Sequence, residues 1–188
     1  MACGPDGAMD ADALHRAVLQ QWRTAGGAIV VASCGTTMRG GVDDIIELRA
    51  AADPAGAVYV HVDAAGGGLV AAYTSPQPNW GFAHGADSLN ISGHKILGMP
   101  VPAGISLIRR GLLPERAGEK YVADTDRTLA CSRSGLAALL LWARLHSLGR
   151  TGMAALIGRC QEVAAYAADR LEQAGADPEL LPGSLTVT

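Results

Sequence analysis

Short apolar segments that alternate with helical patterns constrain the fold of this chain more than any other feature. Residues 28–33, Ala-Ile-Val-Val-Ala-Ser, form an uninterrupted apolar run, which is typical of a strand buried on both faces of a sheet. Helical patterns flank it at residues 10–25 and 45–52, and residues 58–63 read as the next strand. Strands joined by helices need crossover connections, so the sequence predicts an α/β fold with a mainly parallel sheet flanked by helices.

The rest of the chain extends this alternation and then departs from it. Residues 111–133 are polar and show no hydropathy period, which predicts a long mobile loop, because long unpatterned segments in compact domains are usually functional or mobile. The other predicted elements are strands at 88–92, 104–108 and 184–188 and helices at 136–148 and 153–174. Strands therefore dominate before the loop, and long helices follow it.

The charge and composition of the 188 residues exclude several classes of protein. Eighteen acidic against fifteen basic residues give a net charge of −3, whereas a nucleic-acid binder shows a clustered basic excess. No apolar run reaches the roughly 20 residues of a membrane span, and the N-terminus lacks a secretory signal pattern. The four cysteines are scattered, as is typical of a reduced compartment. We expect a soluble, cytoplasmic protein that binds neither nucleic acid nor membrane.

Two polar side chains stand at the ends of predicted strands, where ligands of open α/β sheets bind. Period two along residues 58–63 puts His61 and Asp63 on one face of the strand. Lys95 follows the strand at 88–92, and a lysine desolvated in such a place is a nucleophile suited to imine formation. We expect Asp63 and Lys95 to be buried at this edge, either as reactive groups or as a structural ion pair.

The same strand carries the spacing of a metal site. His61-x-Asp63 matches part of the two-histidine-one-carboxylate iron site. The candidates for the third ligand are His84, His94 and His146. That iron site is usual on antiparallel β-sandwiches, however, so the alternation of helix and buried strand makes it the more distant interpretation.

Two further motifs lack the partners that their chemistry requires. Ser92-x-x-Lys95 has the serine-nucleophile spacing of penicillin-recognising enzymes, but the accompanying Ser-Asp-Asn and Lys-Thr-Gly motifs are missing. The glycines at 66–68 do not form the Gly-x-Gly-x-x-Gly pattern of dinucleotide-binding folds. Neither motif supports a function by itself.

Several short motifs, taken in order, make the chain similar to a known family. They are Gly-Thr-Thr at 35–37, Gly-Val-Asp-Asp at 41–44, His-Val-Asp-Ala-Ala at 61–65, Pro-Gln-Pro at 76–78, Asn-Ile-Ser-Gly-His-Lys at 90–95, Pro-Val-Pro-Ala-Gly at 100–104, Cys-Ser-Arg-Ser-Gly at 131–135 and Leu-Leu-Trp at 140–142. In this order and spacing they resemble the group II amino-acid decarboxylases that use pyridoxal 5′-phosphate (PLP). Within that group the resemblance is greatest to bacterial histidine decarboxylases and plant serine decarboxylase-like enzymes.

The resemblance implies a role for each of the residues at the strand ends. Lys95 corresponds to the lysine that holds PLP as a Schiff base, and Asp63 to the partner of the pyridinium nitrogen, which keeps the ring an electron sink. Ala65 would lie flat against the ring. The remaining residues that the resemblance implies are His94 and Ser92 at the phosphate, Thr36 near the polar edge of the ring, Tyr121 on the mobile loop as proton donor, and Arg133 and Ser134 toward the phosphate of a neighbouring subunit.

The resemblance also implies how much of the enzyme the chain supplies. Residues 1–148 correspond to the second half of the PLP-binding large domain of fold type I, and residues 149–188 to a helix and the beginning of the small C-terminal domain. We therefore expect an amino-acid substrate and a second chain that carries the N-terminal half of the fold, in a hetero- or homo-oligomer. The alternative is a non-catalytic subunit or a degenerate remnant of the same fold.

Overall fold

The computed structural model describes residues 1–113 and 133–188 and contains one four-stranded sheet. The strands are β1 (Ala28–Ser33), β2 (Val58–Asp63), β3 (Ser88–Ser92) and β4 (Gly104–Ile108), adjacent in that order. β1, β2 and β3 are parallel, and β4 pairs antiparallel with β3. The predicted mainly parallel α/β sheet is thus confirmed.

Aspartates start the two helices that precede strands β1 and β2. Helix α1 (Ala11–Ala25) begins after Asp10, whose carboxylate accepts a hydrogen bond from the Ala13 amide over 2.9 Å. Helix α2 (Ile45–Ala52) begins after Asp44, whose carboxylate accepts from the amides of Ile46 and Glu47. Each carboxylate satisfies amides that the first turn of the helix leaves without a partner.

Helices α1 and α2 cover one face of the sheet. The buried core on that face consists mainly of Leu14, Val18, Val30, Ala32, Ile45, Leu48, Val60 and Val62. On the opposite face, Ile29 is 78% exposed and Val31 is 55% exposed. The prediction that residues 28–33 are buried on both faces is therefore wrong for the described chain, because its helices pack on only one side of β1.

The second half of the chain is mostly helical. Short helix α3 (Gly68–Tyr73) follows β2, and the two helices predicted at 136–148 and 153–174 both occur, as the two parts of α4 (Gly135–Gln173). A kink at Gly149, with φ 57° and ψ −169°, lies between those two predicted segments. Beyond the kink, Met153 of α4 packs against Leu97 and Met99 from the turn after β3, which docks the helix on the sheet domain.

The predicted strand at 184–188 is wrong. The structure has a single bridge between Leu180 and Val187 there, flanked by hydrogen bonds between the backbones of Glu179 and Thr188. The Ser184 hydroxyl accepts from the Thr186 amide over 2.9 Å, so a side chain takes the amide that a ladder would use.

Two further expectations from the sequence concern the loop at 111–133 and the absence of a membrane span. Of the predicted loop at 111–133, residues 114–132 lie outside the described part, so its mobility stays a prediction. No helix within residues 1–113 and 133–188 combines the length and apolar character that crossing a membrane requires. The cytoplasmic location stays a prediction.

A buried thiol and a buried carboxylate lie side by side after β1. Asp43 accepts from the amides of Met9 and Ser33, over 2.6 and 2.7 Å, and so fixes the N-terminal segment to the end of the strand. Burial, followed by the negative charge of Asp43, raises the pKa of the Cys34 thiol to about 12. Cys34 is thus a core residue with an inert thiol.

We expect Cys34 to resist thiol reagents in the folded protein. A maleimide at pH ~8 should modify the exposed Cys3, and it should modify Cys34 only after denaturation, because the thiolate is the reactive form. The stability that Cys34 contributes should be complete below its ordinary pKa of 9.0 and fall as pH rises toward about 12. Peptide mass spectrometry checks the first point, and pH-dependent unfolding of Cys34→Ala the second. Equal labelling of both cysteines in the folded state would contradict the assignment.

Candidate active site

Asp63 is the last residue of β2, on the face that α1 and α2 leave uncovered. Its Oδ1 atom accepts from the Ala65 amide over 3.1 Å and from Asn90 Nδ2 over 3.0 Å. The parallel register of β2 and β3 places Asn90 directly beside Asp63. The carboxylate is exposed, contrary to the expectation of burial, because the described chain places no helix over this face.

Lys95 lies in the turn that follows β3 and is also exposed. Within residues 1–113 and 133–188, its Nζ atom has no hydrogen-bond or ion-pair partner. A Cβ atom built on Gly66 would lie 3.8 Å from Lys95 Nζ, so the amine stands beside a stretch of backbone that carries no side chain. Among the described residues the amine is therefore unpartnered, with bare backbone on one side.

The structural ion pair between Asp63 and Lys95 is not formed. The ion pairs among the described residues are Arg39–Glu179, Arg49–Asp87 and Arg159–Glu162. Neutral donors hold the carboxylate of Asp63, and the amine of Lys95 has no partner among the described residues. The two groups therefore do not stabilise the fold by pairing with each other.

A cavity of about 600 Å³ opens beside Lys95. Its walls come from the loop after β1, helix α3, the segment at 74–78 and the C-terminal segment at 181–186. Of the predicted site residues, Thr36 and Lys95 line this cavity, whereas Asp63, Ala65, Ser92, His94 and Ser134 do not. The structure thus brings the lysine and the threonine into one space and leaves the others outside it.

Two glycines bring the walls of this cavity together. Gly35 has φ +88°, and a Cβ atom built on it would lie 2.7 Å from Gly67 Cα. The Gly67 amide donates to the Cys34 carbonyl over 3.1 Å, so the loop after β1 and the loop after β2 touch through their backbones. This contact allows the loop that carries Thr36 to lie close to the loop that precedes α3.

The C-terminal segment forms one wall of the cavity. Arg39 and Glu179 form an ion pair and a hydrogen bond, and the buried Ser184 donates to the Arg39 carbonyl over 3.5 Å. Sequence reasoning missed this wall, since nothing in residues 179–188 indicates that they contact the loop after β1.

The other predicted residues make local contacts. His94 Nδ1 accepts from the Ala103 amide over 3.3 Å, so its Nε2 atom carries the proton of the neutral ring. Thr36 Oγ1 accepts from the Gly41 amide over 2.9 Å, and the Ser92 amide donates to the Ala65 carbonyl. Ser134 is the N-cap of α4, and its hydroxyl accepts from the Ala137 amide.

Two predicted site residues in the segment at 111–133 have no described contacts. Tyr121 lies outside the described residues, and Arg133 is exposed at the start of the segment that leads into α4. Their roles stay predictions.

The iron-site interpretation is not supported by the geometry around His61. Both ring nitrogens are engaged, Nδ1 with Ser88 Oγ at 2.7 Å and Nε2 with Asn90 Oδ1 at 2.9 Å. In the part of the chain that the structure describes, no three histidine, cysteine or acidic side chains gather as metal ligands. Sequence reasoning placed His61 and Asp63 on one face but missed Asn90, which links them from the neighbouring strand.

Comparisons with known proteins identify the family. The family model described as the pyridoxal-dependent decarboxylase conserved domain matches residues 1–182. The histidine decarboxylase of Mesorhizobium japonicum is 41% identical over 164 residues, which cover 85% of this chain and 44% of that protein. The histidine decarboxylase of Klebsiella aerogenes is 37% identical over 191 residues, which cover 97% of this chain and 49% of that protein. The chain spans about half the length of these curated relatives.

Solved structures show the same fold. The L-methionine decarboxylase of Streptomyces sp. 590, in complex with L-methionine methyl ester, has a TM-score of 0.81 at 24% identity, over 97% of this chain and 47% of that chain. Mouse CSAD has a TM-score of 0.80 at 22% identity, over 98% of this chain and 41% of that chain.

The fold is that of the PLP-dependent decarboxylases, and the chain belongs to the pyridoxal-dependent decarboxylase family. The cofactor prediction is confirmed at the level of the family. The described residues also fit PLP: Lys95 offers an unpartnered primary amine, Asp63 a carboxylate held at the neighbouring strand end, and Gly66 a backbone without a side chain beside the amine.

Proposed function

We propose that this chain provides the lysine-bearing half of the active site of a PLP-dependent L-amino-acid decarboxylase. The observation that carries the proposal is the unpartnered amine of Lys95 beside the bare backbone of Gly66, one strand away from the anchored carboxylate of Asp63. The reaction breaks the bond between the α-carbon and the carboxylate, releases CO₂ and places a proton on the former α-carbon. Bound PLP supplies the electron sink for this step.

Five residues of this chain are assigned to hold the cofactor and the proton on its ring nitrogen. Lys95 would hold PLP through its amine. Asp63 would hold the proton on the ring nitrogen, and Ala65 would pack against the ring. His94, with a proton on Nε2, would donate to the phosphate, assisted by Ser92. These assignments follow the family resemblance.

Three further residues are assigned by the resemblance. Thr36 lines the same cavity as Lys95, which supports its place near the polar edge of the ring. Ser134 and Arg133 would approach the phosphate of a neighbouring subunit. The Ser134 hydroxyl that caps α4 would keep this cap while it accepts or donates a second hydrogen bond, since a hydroxyl both donates and accepts.

The curated relatives point to L-histidine as the substrate of this enzyme. The two relatives at 41% and 37% identity are both histidine decarboxylases. The likeness to methionine decarboxylase rests on 24% identity and concerns the fold alone. Release of histamine from L-histidine by the assembled enzyme is the direct assay, with L-methionine as the comparison substrate.

We expect Tyr121→Phe to slow amine formation by about 10²-fold, the lower end of the range for loss of a positioned acid, because water that enters an incompletely closed site can still donate a proton. Substrate affinity should change little, since only a hydroxyl is removed, and carbonyl by-products should rise. Product analysis of the variant beside the unmodified enzyme measures both. Amine formation at the unmodified rate would assign Tyr121 to packing.

A second chain is proposed to cover the open face of the sheet. Parallel sheets are covered on both faces, yet Ile29 and Val31 of β1 are exposed here and Asp63 lies on the same face. Exposed apolar surface on an edge strand favours association. We infer that the partner carries the N-terminal half of the decarboxylase fold, and that two such pairs form a dimer. Within this assembly we divide the chain at the Gly149 kink, into residues 1–148 and 149–188.

Reconstitution tests the proposed function as a whole. The purified chain is mixed with PLP and L-histidine, alone and with a polypeptide that carries the N-terminal half of a relative, and CO₂ release is recorded. We expect PLP retention and CO₂ release only in the mixture. A matched mixture with Ile29→Glu/Val31→Glu should assemble poorly, whereas the equally exposed Met38→Glu should not interfere. A PLP-replete, active preparation of the chain alone would refute the partner, and an assembled but inactive complex would favour the non-catalytic subunit.

A further inference from the structure

A row of hydrogen bonds runs behind Asp63 across strands β2 and β3. Asn90 Nδ2 donates to Asp63 Oδ1 over 3.0 Å, and His61 Nε2 lies 2.9 Å from Asn90 Oδ1. His61 Nδ1 lies 2.7 Å from Ser88 Oγ. The register pairs His61 with Ser88 and Asp63 with Asn90, so the four side chains share one face of the sheet. We call these four residues the strand-face row.

The charge of Asp63 fixes the direction of the hydrogen bonds that join it to Asn90 and Asn90 to His61. A carboxylate only accepts, so the amide nitrogen of Asn90 faces Asp63 and its oxygen faces His61. His61 Nε2 therefore carries a proton, and in the neutral ring Nδ1 accepts from the Ser88 hydroxyl. Ser88 is 8% exposed, which anchors the inner end of the row in the protein.

The row leaves one oxygen of the carboxylate without a partner. Asn90 and the Ala65 amide both donate to Oδ1 of Asp63. Within the part of the chain that the structure describes, Oδ2 accepts no hydrogen bond. The carboxylate is thus held by one oxygen and presents the other. A functional side chain whose orientation is locked by hydrogen bonds from behind meets its ligand in a single geometry.

We propose that Asn90 and His61 are positioning residues that direct Asp63 Oδ2 to the ring nitrogen of PLP. The inference rests on the proposed function, in which Asp63 holds the proton on that nitrogen. Asn90 acts by its hydrogen bond to Oδ1, and His61 acts through Asn90, whose amide it keeps from rotating.

The test compares two ligands of the same shape that differ at the ring nitrogen. The affinities of PLP and of its analogue with CH in place of the ring nitrogen are measured by absorption titration of the assembled protein. The unmodified protein should bind PLP more tightly than the analogue. Asp63→Asn should bind the two ligands equally, and its affinity ratio sets the value for complete loss of the preference. Asn90→Leu and His61→Phe should lower the preference by about 10-fold, in line with one hydrogen bond to a charged group. His61→Gln should restore it, because its amide N–H can donate to Asn90 Oδ1.

Because general destabilisation weakens both ligands alike, the ratio of the two affinities isolates the contact with the ring nitrogen. Asn79→Leu is the matched control, since it removes an Asn–Asp hydrogen bond of 2.7 Å, to Asp44, away from Asp63. That variant should keep the unmodified ratio. If Asn90→Leu and His61→Phe both kept the affinity ratio of the unmodified protein, the inference would be overturned and the proposed function would still stand. Equal affinity of the unmodified protein for the two ligands, or affinity for neither, would overturn both.

Discussion

Lys95→Arg should reduce CO₂ release by the assembled enzyme to background while the protein stays folded. Arginine keeps the positive charge and much of the length of lysine, but its guanidinium does not serve as the amine nucleophile for an aldehyde. The side chain is exposed, and Nζ has no partner in residues 1–113 and 133–188, so the described fold does not depend on it. Unchanged thermal unfolding together with lost activity would separate chemistry from stability.

The chain offers a matched control for this variant. It contains two lysines, Lys95 and Lys120, so Lys120→Arg makes the same chemical change elsewhere. After borohydride reduction of the PLP-loaded protein, peptide mass mapping should find the pyridoxyl group on Lys95, and Lys120→Arg should retain PLP and activity. A pyridoxyl group on Lys120, or turnover by Lys95→Arg, would contradict the assignment of the cofactor lysine.

The strands were predictable because each has closely spaced apolar residues within a short segment bounded by residues that end it. The segments at 28–33, 58–63, 88–92 and 104–108 occur as strands within the same bounds. Asp10 and Asp44 stand at the starts of helices α1 and α2, where their carboxylates reach the free amides of the first turn. Signals of this kind are local, and a local signal can be read from a single sequence.

Which segment covers the face of a strand is not decided by local sequence, and here the prediction was wrong. Apolar residues on both faces of β1 predict burial on both faces, yet Ile29 and Val31 are exposed in the described chain. The expected burial of Asp63 and Lys95 failed for the same reason. Hydropathy indicates that a face should be covered, but not whether the covering segment belongs to the same chain, and this chain spans about half of its curated relatives.

Contacts between distant segments also could not be predicted from the sequence. The alternating Thr-Val-Thr at 186–188 favours a strand, but its backbone finds only one bridge, because the neighbouring segment at 179–180 offers a single short pairing. Asn90 was part of a recognised motif, yet its link to Asp63 depends on the register between β2 and β3. The motif identified the lysine at its end and gave no sign of the asparagine's contact.

The second large effect is expected from Asp63→Asn. The asparagine oxygen can still accept from Ala65 and Asn90, so the local fold should persist, but the neutral side chain no longer holds a proton on the ring nitrogen. We expect decarboxylation to fall by about 10²–10³, the range typical of losing one group that stabilises developing charge. The loss should appear in kcat, because the substrate contacts of the site are unchanged.

Asp53→Asn is the control for a change of charge alone, since Asp53 is an exposed aspartate at the end of α2. It should leave kcat and PLP affinity unaltered. Single-turnover measurements with L-histidine separate binding from the chemical step, and the absorption spectrum of the bound cofactor reports protonation of its ring. If Asp63→Asn turned over at the rate of Asp53→Asn, the carboxylate would serve only to order the turn between β2 and Ala65. The electron sink would then need a different partner for the ring nitrogen, supplied from outside the described residues.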